Sequence, residues 1–146
     1  MRIRHLIPVF LLLPALASAN PSDRIYLKSH FIEQLHLPIS SGVLAGNTLY
    51  IAGTIGVTPG AKKPISAMEE TRVIMNRIQN LVRRAGMTMD DIVSIQVFCS
   101  DMSAYGAFNK VYRQYFRGNY PARTFVGVAK LGGGARFEVK GIAVGR

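Results

Sequence analysis

From Ser66 to Phe116 the chain carries two helix-period segments separated by one strand-period segment, and that order narrows the folds open to it. SAMEETRVIMNRIQNLVRRAG opens with Ser66 and Glu69 at capping-box spacing and closes on Gly86, just after Arg83 and Arg84, cations that complement a helix C-terminus. Its apolar stripe is Ile74, Ile78, Leu81, Val82 and Ala85. SAYGAFNKVYRQYF predicts a second helix from near Ser103, with Phe108, Val111, Tyr112, Tyr115 and Phe116 turned inward as core side chains rather than a cofactor box. Between them lies IVSIQVFC, where Val93, Ile95, Val97 and Cys99 alternate with Ser94, Gln96 and Phe98 as in a strand.

The remaining elements are strands. VLAG and TLYIAG flank a tight turn at Gly46-Asn47, and two more strands follow Pro121. The predicted order is β-β-α-β-α-β-β, an α+β sandwich with two helices packed on one face of a mixed sheet. No third helix is available for the other face, so a closed homo-oligomer is expected to cover it.

The N-terminus stands outside that plan. MRIRHLIPVFLLLPALASAN combines Arg2 and Arg4, an apolar stretch from Leu6 to Leu16, and Ala17-Ser18-Ala19, the pattern of a secretory signal peptide at residues 1–19. The apolar stretch falls short of the about 20 residues that span a bilayer. Cleavage after Ala19 leaves 127 of the 146 residues, a single domain from 20 to 146, periplasmic or secreted and free of the membrane. A retained membrane anchor is the alternative, decided by whether the cut occurs. Loss of Arg2 and Arg4 takes the formal charge from +10 to +8, which favours anionic partners without choosing among them. The basic residues, Lys62, Lys63, Arg72, Arg77, Arg83, Arg84, Lys110, Arg113 and Arg117, are dispersed without interleaved aromatic platforms, so a nucleic-acid groove is not expected. Cys99 is the one cysteine, which excludes an intramolecular disulfide and leaves a small buried hydrophobe in a strand.

The C-terminal stretch YPARTFVGVAKLGGGARFEVKGIAV, together with AGNTLYIAGTIG, MTMDDIVSIQVFCSDM and FNKVYRQYF, resembles the Rid (reactive intermediate deaminase, YjgF-like) family from about Leu37 to Val144. The resemblance implies a chorismate-mutase-like fold and a homotrimer with clefts between subunits. It also implies hydrolysis of short-lived enamine or imine acids, of the 2-aminoacrylate and 2-iminopropanoate type, to 2-oxo acids and ammonia with no metal or organic cofactor.

The chemistry of the residues suits such a substrate. Arg123 offers a planar two-donor fork to a carboxylate, and Pro121 stiffens the approach to its strand. Glu138 matches the family's acidic position and is the candidate acid/base for water. Phe125, Asn109, Gly53 and Ile39 match substrate-binding positions. Spacing alone leaves Arg123 and Glu138 open to a reading as surface salt-bridge residues. Pairing the last two strands as a hairpin around Gly132-Gly133-Gly134 sets Glu138 opposite Val128 and roughly 17 Å from Arg123, so either a bulge closes the gap or the two groups meet across a subunit boundary.

The chain departs from the family pattern at three places. LPISSG has Ile39 where a pocket tyrosine is common, Ala52 replaces a usual serine, and Phe125 stands where a small or sulfur-bearing residue is frequent. A non-catalytic small-carboxylate-binding module is therefore the alternative function. An RNA-cleaving or translation-inhibiting role, assigned to some relatives, lacks a His pair or an aromatic groove here. His30 and His36 read as surface or rim residues.

Overall fold

The Ser66 capping box forms as the sequence predicts, and it starts the longest helix among the described residues. Glu69 backbone N–H donates to Ser66 Oγ at 3.2 Å, and the Ser66 backbone N–H donates to Glu69 Oε2 at 3.0 Å. The computed structural model describes residues 24–57 and 65–146. The predicted leader at residues 1–19, with Lys62 and Lys63, lies outside the described residues.

Among the described residues, six strands and three α-helices follow in the order β1 (Arg24–Leu27), α1 (His30–Gln34), β2 (Gly42–Ala45), β3 (Thr48–Ile55), α2 (Ala67–Arg84), β4 (Ile92–Cys99), α3 (Tyr105–Tyr112), β5 (Ala122–Gly127) and β6 (Phe137–Val144). They make one sheet in the order β1-β2-β3-β6-β4-β5, with α2 and α3 packed on one face. The α+β sandwich of the sequence reading is thus observed, extended by β1 and the short α1. The second helix is shorter than predicted: 3₁₀ turns at Met102–Ala104 and Arg113–Tyr115 flank α3. No helix among the described residues is long and apolar enough to cross a membrane.

The core lies between the helices and the sheet. Ile74, Ile78, Leu81 and Val82 of α2 and Phe108, Val111 and Tyr112 of α3 are buried, against Leu49, Ile51, Ile95, Val97, Phe137 and Val139. Cys99 is fully buried with its Sγ 3.0 Å from the Asp101 carbonyl, and burial pushes the thiol's pKa up. The alternation in β4 holds from Ile95 onward but not before it. A register shift between Ile92 and Ser94 turns Ile92 inward and leaves Val93 half-exposed, contrary to the predicted face of Val93.

The largest correction concerns the two C-terminal strands. They are not a hairpin: β5 pairs parallel with β4, and β6 pairs antiparallel with both β3 and β4. The parallel pair at the sheet edge packs the partly buried Phe125 beside Val97 against the core, which a β5-β6 hairpin would forgo. Val128 therefore donates to the Cys99 carbonyl at 2.8 Å rather than facing Glu138. The Gly132–Gly134 segment, with Gly133 and Gly134 at φ 64° and 72°, carries the chain across the end of β4. Glu70, buried in the first turn of α2, receives that crossing. Its carboxylate accepts from the backbone N–H groups of Arg136 and Phe137 at 2.7 and 3.1 Å and from Arg136 Nη1 at 2.9 Å.

Candidate active site

The parallel register decides where Arg123 points. Arg123 lies beside Ile95 and Phe125 beside Val97, so both side chains leave the helix-bearing face of the sheet at its edge. There α3 waits for them. Arg123 Nη1 donates to Asn109 Oδ1 at 2.8 Å, and the guanidinium carbon stands 4.8 Å from the Tyr112 ring centroid and 5.7 Å from that of Phe125. Phe125 is wedged edge-on between Tyr105 and Phe108, at centroid distances of 4.8 and 5.4 Å. One amide and two rings thus fix the guanidinium while leaving other N–H donors toward solvent.

Arg123 opens onto a cleft of about 420 Å³ lined by Asn109, Tyr112, Arg113, Tyr120, Pro121 and Arg123. Two arginines and no acidic residue line the cleft. Among the described residues the ion pair is Arg136–Glu70, far along the sheet, so neither cleft arginine is neutralised by a carboxylate of the described chain. The Tyr112 hydroxyl is buried without a hydrogen-bond partner among the described residues. Burial pushes its pKa up to about 12, against the opposing pull of Arg123.

Glu138 is elsewhere. It pairs with Ile55 on one side and Phe98 on the other, between the buried Phe137 and Val139, so it leaves the sheet face that carries no helix. Gly53 is its floor: a Cβ there would collide with Glu138 Oε1 and stand 2.9 Å from Cδ. Gly53 sits in the irregularity between Ile51 and Thr54 that interrupts the β3-β6 register. Phe98 separates Glu138 from Val126, three residues beyond Arg123. Two strand spacings and three residues put their Cα atoms roughly 14 Å apart, on opposite faces.

A single chain therefore divides the predicted site residues into two groups. Asn109, Arg123 and Phe125 gather beneath α3; Glu138 and Gly53 gather behind the sheet. Ile39 lies exposed in the loop between α1 and β2 and is in neither group. Sequence reasoning missed Tyr112 as a cleft wall, having read it as core, and Arg113, which it counted among the dispersed cations. The spacing of Asn109 and Arg113 four residues apart on one helix face was the available signal.

A mixed six-stranded sheet with both long helices on one face is the chorismate-mutase-like fold of solved relatives. The YjgF gene product of E. coli is 31% identical with a TM-score of 0.69, over 75% of this chain and 90% of that one. E. coli TdcF, solved with bound serine, is 30% identical with a TM-score of 0.69, over 75% of this chain and 89% of that one. Residues 34–145 match the family described as Endoribonuclease L-PSP. The human protein named 2-iminobutanoate/2-iminopropanoate deaminase is 32% identical over 109 residues, which are 73% of this chain and 80% of the relative. The chain belongs to this family, the Rid or YjgF-like family that its C-terminal motifs resemble.

Proposed function

We propose that the protein hydrolyses small 2-imino acids to 2-oxo acids and ammonia. The observation that carries the reading is the uncompensated Arg123 guanidinium, held by Asn109 at 2.8 Å at the head of an open cleft. A carboxylate bound there by two parallel N–H···O bonds holds the neighbouring C=N carbon at a fixed place. Water adds its oxygen to that carbon as the C=N π pair moves to nitrogen. A carboxylate base takes a proton from the water and returns it to nitrogen. The resulting carbinolamine gives its hydroxyl proton to the same carboxylate, which passes it to nitrogen, and expels ammonia as its C–O bond becomes C=O, so one imine and one water yield one oxo acid and one ammonia. The imine deaminase name of the human relative supports the same chemistry.

The base is Glu138, supplied by a neighbouring copy. Within one chain Glu138 and Arg123 leave opposite faces, and the face behind Glu138 carries an apolar row suited to association: Tyr26, Val43, Tyr50 and Ile142 lie in register across four strands, with Tyr26 60% and Tyr50 53% exposed. A closed ring, the trimer of the sequence reading, brings the Glu138 face of one copy against the Arg123 cleft of the next. Export after cleavage at Ala19 belongs to the same proposal, and the N-terminal residue of protein recovered from the secreting cell tests it.

The experiment is semicarbazide trapping of imino acids made in situ by an amino-acid oxidase. Intact protein should lower the trapped imine and Arg123→Ala should not. Equal trapping by both, with folded oligomers, would sink the enzyme reading. It would leave carboxylate binding without turnover, which the loss of pocket hydroxyls at Ile39 and Ala52 favours.

A further inference from the structure

We infer that Arg113 is a second anion-binding residue of the Arg123 cleft and tunes it toward imino acids whose side chain ends in a carboxylate. The inference rests on the carboxylate-binding part of the reading above. Asn109, whose Oδ1 holds Arg123, is followed four positions later by Arg113, where the backbone still has helical dihedrals of φ −65° and ψ −14°. Arg113 therefore rises from the same helix face one turn, about 5.4 Å, beyond the amide that anchors Arg123. Arg113 and Arg123 both line the one cleft.

The charge balance points to the ligand. Asn109, Tyr112, Tyr120 and Pro121 complete the lining within one chain, and none carries a negative charge, so with Glu138 of the next copy added the cleft still sets two cations against one anion. Two like charges facing a common cleft raise its potential, and an anion that spans them relieves the repulsion. A monocarboxylate satisfies Arg123 alone. A four- or five-carbon 2-imino diacid places its second carboxylate about one helical turn from the first, within reach of Arg113 on its flexible stem. The Tyr112 and Tyr120 rings, 6.3 Å apart at their centroids, form a wall along the intervening methylenes. A cation that merely complemented the C-terminal end of α3 would act on stability and leave ligand choice alone.

The test separates this inference from the deaminase reading. Oxo-acid products serve as stable probes: 2-oxoglutarate and 2-oxobutanoate are titrated calorimetrically into the oligomeric protein, Arg113→Gln and Arg123→Gln. The intact protein should bind 2-oxoglutarate at least about tenfold more tightly, the weight of one added charge-assisted contact. Arg113→Gln should bring the ratio of the two affinities toward one, and Arg123→Gln should weaken both ligands. The same ratio should appear in trapping assays with imines generated from glutamate and from 2-aminobutanoate. Equal affinities in the intact protein, a ratio unmoved by Arg113→Gln, or binding of neither acid would each overturn the inference. Diacid preference in binding with no imine consumed would instead overturn the deaminase reading alone.

Discussion

Mixing two inactive variants tests the division of the site between copies. Arg123→Ala removes the proposed carboxylate fork, and Glu138→Gln removes the proposed base, an expected loss of about 10²-fold or more. Neither variant alone should turn over imine. In a head-to-tail ring, each site takes Arg123 from one subunit and Glu138 from the next. When the variants are denatured together in equal amounts and refolded, a site is complete where a Glu138→Gln chain presents Arg123 to an Arg123→Ala chain presenting Glu138. Random assembly makes this about one site in four, so the mixture should recover about a quarter of the intact rate. The prediction follows from the opposite faces and the roughly 14 Å that separate the two Cα atoms within one chain. Imine trapping gives the rate, and native mass spectrometry shows that mixed oligomers have formed. Mixed oligomers with no activity above either parent would refute the argument, because a site built within one chain can never be complete in such a mixture.

The Gly53 floor predicts that Gly53→Ala displaces the Glu138 carboxylate. Because the colliding atoms are the end of a flexible side chain, thermal stability should fall by less than about 1 kcal/mol. Turnover should nevertheless drop on the order of 10²-fold; an alanine variant with full activity would contradict the placement. Tyr112→Phe removes a buried hydroxyl without a partner, so stability should hold or rise by up to about 1 kcal/mol in urea unfolding, and a clear loss would reveal a missing partner. The same variant carries a pH signature. The folded phenol titrates at about 12 against an ordinary 10.0, so the neutral form is favoured by folding. Its contribution is full below pH 10 and is lost as the pH climbs toward 12, a decline that Tyr112→Phe should flatten. Glu70→Ala strips three donors of one buried acceptor and should cost about 3–5 kcal/mol; a loss under about 1 kcal/mol would show that the crossing from β5 to β6 does not depend on it.

Local signals were legible wherever they act through near neighbours. The capping box at Ser66, the stripe of α2 and the tight turn at Gly46 depend on contacts within a few residues, and the chain folds there as those residues dictate. Val93 shows the limit of such reading. Period-two alternation assigns it inward, but a register shift against β6 reverses its face, and the cause is a partner strand 50 residues away. Tyr112 shows another limit, because one ring both packs against Phe108 and faces the cleft.

By itself the sequence determined the kinds and order of the elements from β2 onward and, through its motifs, the family, and it marked Arg123 as a candidate carboxylate fork. Only the tertiary structure decided which strands are neighbours, because backbone hydrogen-bonding groups are alike in every strand and leave the choice to long-range packing. That choice inserted β4 between β5 and β6. It sent Arg123 toward α3 and Glu138 behind the sheet, and it set Arg113 over the same cleft as Arg123.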